Sequence, residues 1–430
     1  MDNIARDLIY LPALLSSIAL VHPKDGRVSA LLYLPKVVIG ACMPALALVG
    51  SAVTLIGIAC GDAVVGCGGL LGAAVAVWYV TRVTAPHDGF GRAFGPGWQS
   101  RIPATLQARM PRRRWPIIGR VSGIRLKQDA AFGTHVETGD ALLADIWQPP
   151  PGVPPTGLAV VYLHGGGWHY LHKGMGTRRL FGHLAGQGHV VMDVGYTKAP
   201  VARLRAMVAD VHRAIAWLKL HATEYGVDPE RIVTMGCSSG AHLALLAAYA
   251  HDHPQLRPAD VNGDTSVRAV VSYCGHTDLI ASYDYFETQY KRLLSGQTPV
   301  ERAVIAALER VLHRTDLLPP GGHYVDPVDL LPSLMGGTPD EVPELYRLGS
   351  PIHHAGPHCP PTLLLQGAHD YTGIVPDVKR LHRALREAGA TSIHVEFPYT
   401  EHAFDSNIPR SGPAAQAATH DVDRFLALMV

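Results

Sequence analysis

Charge is what this 430-residue chain has least of. Lys, Arg, Asp and Glu make up 17% of it, against about 25% in ordinary soluble domains. The net charge is +1, so no global field recruits nucleic acid or an acidic partner. Cysteine is sparse as well. Six residues do not make a disulfide framework for a chain this long, and their spacing fits no zinc pattern. All six read as reduced, buried thiols. There is no HExxH, no P-loop and no EF-hand loop, so neither a metal nor a nucleotide cofactor is expected. Gly66-Cys67-Gly68 has no strand before it and is discarded as a dinucleotide fingerprint.

The missing charge is concentrated in one region. From Val37 to Ala59 no residue is charged, which is long enough to cross a bilayer core as a helix. After Cys60-Gly61-Asp62 a second uncharged run extends from Ala63 to Val80. Gly57 with Gly61, and Gly68 with Gly72, are small-residue pairs that let helix backbones approach closely. The expectation is a membrane hairpin, with a buried helical hairpin on a soluble domain as the alternative. Leu8 to Val21 is short and broken by Pro12, so it reads as interfacial or re-entrant. Asp2 and Asp7 beside Arg6, and the late apolar runs, argue against a cleavable signal peptide. Lys24, Arg27 and Lys36 precede the hairpin and Arg82, Arg92 and Arg101 follow it, while the turn carries only Asp62. That bias puts both ends, and the domain that follows, in the cytoplasm. The Arg109–Arg114 basic cluster suits either anionic headgroups or a solvated linker.

The domains expected from this texture are 1–95, hydrophobic and transmembrane, 96–116, a basic linker, and 117–430, a large mixed helix–strand domain. Val121 to Lys127 and Ala141 to Trp147 read as an opening antiparallel strand pair. The apolar run Leu158 to Leu163 suits a strand buried on both faces. Helical and strand-like stretches then alternate to the C-terminus: helices over 177–186, 203–225, 377–387 and 414–428, strands over 190–194, 269–273, 362–366 and 392–398. The fold class is α/β, a mostly parallel sheet covered by helices on both faces. Residues 277–351 lack strand alternation, with helices expected over 285–294 and 300–313 and a loop over 317–337. They read as a cap over the carboxyl ends of the strands.

One stretch carries chemistry. The apolar run Ile232 to Met235 enters Gly236-Cys237-Ser238-Ser239-Gly240, and a Leu- and Ala-rich helix leaves it. G-x-S-x-G between strand and helix is the nucleophile elbow, whose sharp turn exposes the serine hydroxyl. Cβ atoms at the two glycines would strike neighbouring backbone.

Four features in order give a more specific resemblance: HGGGW at 164–168, GCSSG at 236–240, QGAHDYTGIVP at 366–376 and EHAF at 401–404. Residues 117–430 resemble the α/β-hydrolase family, specifically carboxylesterases of the hormone-sensitive-lipase-like type. The resemblance implies Ser238 as nucleophile, His402 as its base and Asp370 as the acid that orients the histidine, in the chain order expected for this fold. It implies an oxyanion hole from the amides of Gly166, Gly167 and Ser239, on a loop shaped by His164 and Gly165. His369 and Asp377 are the runners-up for the acid–base roles. Glu401 and Asp405 are expected in solvent or supporting the site from behind. Cys237 and Ser239 stand where family members carry Asp and Ala, and Tyr196-Thr197-Lys198-Ala199-Pro200 departs from the family's Tyr-Arg-Leu-Ala-Pro. Both departures bear on subfamily and acyl-chain preference.

The expected function is therefore a membrane-anchored serine carboxylesterase or lipase acting on small-molecule or lipid acyl esters through an acyl-enzyme. Amidase, peptidase or deacetylase chemistry on the same fold is the alternative, followed by a non-catalytic binding protein. Membrane is an expected partner and nucleic acid is not.

Overall fold

The computed structural model describes residues 11–115, 121–136, 138–290, 298–315, 318, 322–405 and 412–430. The expected domain start at 117, the acidic flank at residues 2 and 7, and parts of the 285–294 helix and the 317–337 loop lie outside them.

Among the described residues three helices come first: α1 (Leu11–Ile18), α2 (Gly26–Cys60) and α3 (Ala63–Val83). The α2–α3 turn is set by two residues. Gly61 takes the left-handed conformation (φ 68) that ends α2, and the Asp62 carboxylate accepts from the amides of Val64 and Val65 to cap α3. Close approach of the two helices runs through Gly57 of the expected pairs and through Gly50 and Gly69, which were not expected. A Cβ on Gly57 would overlap the amide of Gly66, one on Gly50 would lie 2.6 Å from the Ala73 nitrogen, and one on Gly69 2.5 Å from that of Thr54. Gly61 has open space, and Gly72 faces Pro12 and Ala13 of α1. The seam follows Gly50 and Gly57, seven residues apart, because helices crossing at a shallow angle meet once every two turns. Residues 11–18 form a plain helix against α3 despite Pro12, which sits in the first turn where its missing N–H costs nothing.

Both α2 (35 residues) and α3 (21 residues) are long and apolar enough to cross a membrane. Only 28% and 39% of their apolar windows are buried. Leu48, Leu55, Ile58, Val64, Leu70 and Leu71 of the two helices are exposed. Cys42, Cys60 and Cys67 are exposed with them, so the expectation of six buried thiols holds only for Cys237, Cys274 and Cys359.

Beyond the hairpin lies an eight-stranded sheet: β1 (Arg125–Thr134), β2 (Ala141–Gln148), β3 (Ala159–Leu163), β4 (Val190–Val194), β5 (Ile232–Cys237), β6 (Ala269–Tyr273), β7 (Thr362–Gly367) and β8 (Ser392–Phe397). Its order is β1-β2-β4-β3-β5-β6-β7-β8. β1–β2 and β2–β4 pair antiparallel and all other neighbours are parallel. The central strands β3 to β7 are buried along their whole length, which is why they read as unbroken apolar runs. β1 starts later than its sequence suggests, at Arg125. Gly123 (φ 74) breaks the extension before it, and its first five residues are exposed, leaving no apolar alternation to read. The longer helices of this domain are α4 (Arg178–Gln187), α5 (Leu204–Leu220), α6 (Ser239–Tyr249), α7 (Leu279–Gln289), α8 (Pro299–Arg314) and α9 (Val375–Glu387) between strands and α10 (Pro413–Met429) after β8. Short helices at Leu330–Met335 and Pro343–Gly349 stand between β6 and β7, the first of them within the expected loop over 317–337. The helix expected over 203–225 breaks at His221, after which Ala222–Tyr225 forms one separate turn. α7 and α8 lie between β6 and β7, where parallel strands end at their carboxyl edge.

Two basic side chains near the hairpin turn inward. Lys36, expected as a flanking surface charge, is 3% exposed because the Glu401 carboxylate meets its ammonium. In the 109–114 cluster, Arg109 donates to the carbonyls of Pro154 and Gln187, and Arg114 to that of Ala85 and to the Asp421 carboxylate. Only Arg112 and Arg113 remain exposed, so the cluster is mainly an internal clamp.

Candidate active site

The site begins where β5 meets α6. Ser238 sits between them with φ 54 and ψ −123, a backbone conformation costly for a residue with a side chain and held here by its surroundings. Its amide donates to the Tyr273 carbonyl at 2.8 Å. The two glycines of the motif are there for space. A Cβ on Gly236 would overlap the Gly240 carbonyl, and one on Gly240 the carbonyl oxygens of Leu163 and His164. The turn thus wedges α6 against the end of β3.

His402 follows β8 in the loop before α10, and its Nε2 lies 2.8 Å from Ser238 Oγ. On the other side its Nδ1 is 2.8 Å from Asp370 Oδ2. Asp370, past the end of β7, accepts three more bonds: from Gln366 Nε2 (2.8 Å), from the Thr372 amide (2.9 Å) and from Thr372 Oγ1 (2.5 Å). Burial opposes the aspartate's charge, but His402 and Thr372 outweigh it and hold the carboxyl below its ordinary range. Burial likewise opposes charge on His402, and the Asp370 carboxylate overcomes it, leaving the imidazole more basic than usual. Cys274 shares the space of Asp370 and His402, but burial pushes its thiol well above the ordinary value, a poor ligand state for a cation.

The loop after β3 faces the serine. Gly165 packs against Cys237 and Ser238. Gly166 and Gly167 have φ 119 and 58, and the Gly166 carbonyl is turned away by accepting from the amides of His169 (3.1 Å) and Tyr170 (2.8 Å). Gly165, Gly166 and Gly167 line the same cavity as Ser238. His164 stacks on Tyr196, ring centroids 4.3 Å apart, and burial drives its pKa down to about 3. It is a neutral support for the loop. The Ser239 amide lies at the first turn of α6, where the helix's positive end adds to the field.

The structure thus brings Ser238, His402 and Asp370 into one chain of hydrogen bonds, with Gly165, Gly166, Gly167 and Ser239 around the serine. The runners-up are engaged elsewhere. His369 Nδ1 is 3.2 Å from Lys36 Nζ, and Asp377 accepts from Arg380 at 2.9 Å. Glu401 and Asp405, expected in part as solvated, are both buried. Glu401 binds Lys36 and Asp405 accepts from Cys237 Sγ at 3.2 Å.

Above the serine is a cavity of about 570 Å³. Leu308 and Leu312 of α8 and Leu330 wall one side, and Ala30 and Tyr33 of α2 wall another. Sequence reasoning missed this use of α2. Its only signal is Lys36, a lone charge at the edge of a long apolar run.

A family model described as BD-FAE matches residues 144–312, which take in the glycine loop and Ser238 but not Asp370 or His402. Esterase LipQ of Mycobacterium tuberculosis is 30% identical over 61% of this chain and 54% of its own length. The probable carboxylic ester hydrolase LipM of the same organism is 30% identical over 70% of this chain and 60% of its own. The chain thus spans little more than half the length of these curated relatives. A structure of Thermogutta terrifontis esterase 2 phosphoramylated by tabun aligns with a TM-score of 0.50 at 22% identity, over 72% of this chain and 96% of that one. At that identity the likeness speaks for the fold.

Proposed function

We propose that the chain is an α/β-hydrolase acting as a membrane-anchored serine carboxylesterase or lipase, a reading supported by its esterase relatives and by the fold it shares with a solved esterase. The observation that carries the reading is the relay Ser238 Oγ–His402 Nε2 and His402 Nδ1–Asp370 Oδ2, at 2.8 Å in both links, beneath a largely apolar cavity.

Ser238 Oγ attacks the ester carbonyl carbon as His402 Nε2 takes its proton. Asp370 keeps the proton on Nδ1 in place, so Nε2 begins as the acceptor, and it stabilises the imidazolium that forms. The carbonyl oxygen becomes an anion and binds the amides of Gly166, Gly167 and Ser239; losing one such donor costs about 2.7–4 kcal/mol of barrier. Collapse expels the alcohol, which takes the proton from His402 and leaves the acyl group on Ser238. Water, activated by the same histidine, then releases the acid and restores the serine.

In this reading residues 1–95 anchor the enzyme, 96–116 link, and 117–430 catalyse, with 277–351 as the cap. α2 and α3 cross the bilayer as a hairpin: residues 37–60 span about 36 Å at 1.5 Å per residue, enough for a hydrocarbon core of about 30 Å. The catalytic domain faces the cytoplasm, from Lys24 and Arg27 on one flank and Arg82, Arg92 and Arg101 on the other. Substrates are acyl esters that partition into or near the membrane. Hydrolysis of a p-nitrophenyl ester series by wild type and Ser238→Ala tests the chemistry; equal rates for the two would end it. Extraction from membranes by carbonate alone would end the anchor, and failure of impermeant maleimide to reach Cys60 from outside sealed cells would reverse the orientation.

A further inference from the structure

Lys36 is the one charged side chain of α2 beyond its first two residues, and it lies inside the protein, with its ammonium 2.5 Å from Glu401 Oε1 and 3.2 Å from His369 Nδ1. Those two partners have special places in the sequence. Glu401 immediately precedes His402, and His369 immediately precedes Asp370. One lysine from the membrane hairpin therefore holds the backbone neighbours of both the histidine and the aspartate.

The surroundings make the grip rigid. The His369 amide donates to the Thr400 carbonyl at 2.9 Å, tying the two loops together. Gly367, at the end of β7, lies so close beneath that a Cβ there would be 2.5 Å from the Thr400 carbonyl oxygen and 2.6 Å from that of Glu401. His22 stacks on His369 at 4.3 Å between centroids. Tyr33, one turn before Lys36, packs at 4.6 Å on Tyr371, whose ring stands edge-on to His402 at 5.7 Å. Burial and the Lys36 charge push His369 down to about 3, so it meets the ammonium as a neutral acceptor. A well-packed apolar pair would join the hairpin to the domain at least as firmly as a buried ion pair. The charges supply direction instead: an ammonium with two acceptors has one place to sit, and each acceptor is fixed by it.

We propose that Lys36 is a positioning residue of the active site, setting the spacing of His402 and Asp370 through Glu401 and His369, so that the membrane hairpin is a working part of the catalytic centre. This rests on the serine-hydrolase reading above. Misplacement of a reacting group by about 1 Å costs on the order of 100-fold in rate, and loosening both loops at once acts at that scale.

The test uses the full chain in nanodiscs with a short, water-soluble ester, each rate divided by the amount of Ser238 that a fluorophosphonate labels at saturation. Lys36→Met is expected to lower kcat about 10- to 100-fold with KM within about twofold of wild type. Glu401→Gln is expected to do the same. The double variant is expected to be no slower than the worse single one, because both remove one unit. Single variants with kcat within twofold of wild type, or losses that multiply in the double variant, would overturn the proposal. Should Lys36→Met not accumulate, Glu401→Gln decides on the same kcat and KM readouts. Failure of wild type to label at Ser238 is a different result and removes the hydrolase reading itself.

Discussion

Replacing Asp370 by Asn tests the relay at the point where its geometry is most constrained. One carboxylate oxygen accepts from the Thr372 amide and hydroxyl, the other from His402 Nδ1 and Gln366 Nε2. The Thr372 amide is backbone and can only donate, so the carbonyl oxygen of Asn must face Thr372. Its NH₂ then faces His402 Nδ1, which has to accept. The imidazole proton moves to Nε2, leaving no lone pair to take the proton from Ser238. A wrong tautomer in an otherwise intact relay costs about 10⁴-fold in kcat, about 5.4 kcal/mol at 1.36 kcal/mol per decade. The assay is kcat/KM on p-nitrophenyl acetate together with the fluorophosphonate labelling rate, with circular dichroism to confirm folding. A folded Asp370→Asn protein within tenfold of wild type on both readouts would refute the reasoning.

Other outcomes follow from the same geometry. His402 works as a neutral base and its folded pKa is raised above 6.5, so kcat/KM should fall as pH drops through a midpoint above 6.5; a midpoint at or below 6 contradicts this. Gly240→Ala pushes a Cβ into the Leu163 and His164 carbonyls and should cost about 3 kcal/mol of stability, read by denaturant unfolding in detergent; a loss below about 1 kcal/mol contradicts the tight crossing. Tyr33→Ala opens the α2 side of the cavity. It should raise kcat/KM for longer acyl chains relative to acetate by about fourfold per newly buried methylene, and an unchanged chain-length profile contradicts a role for Tyr33 in the wall.

Much of this architecture is legible in the sequence, for identifiable reasons. The buried parallel strands announce themselves because both faces need apolar side chains, as in Ala159–Leu163 and Ala269–Tyr273. Gly236 and Gly240 are readable because only glycine fits where two backbones cross. The positions of Asp370 and His402 came from the resemblance, since an acid and a base 32 residues apart leave no periodic trace. What stayed hidden is long-range. Nothing local tells that Lys36 turns inward to a glutamate 365 residues away, or that Arg114 reaches Asp421. The glycine seam of the hairpin is legible only at Gly57, because G-x-x-x-G spacing marks small surfaces without saying which one meets the partner helix. The exposed strand β1 was misplaced because its polar outer residues carry no alternation.

The central claim is that Ser238 is a nucleophile activated by His402. The most direct measurement is fluorophosphonate treatment of the intact protein at neutral pH, followed by peptide mapping of the adduct. The account predicts a single phosphonyl group on Ser238, absent in Ser238→Ala and formed at least about 10³-fold more slowly in His402→Ala. An adduct on another residue, or labelling of Ser238 that is indifferent to His402, would contradict it.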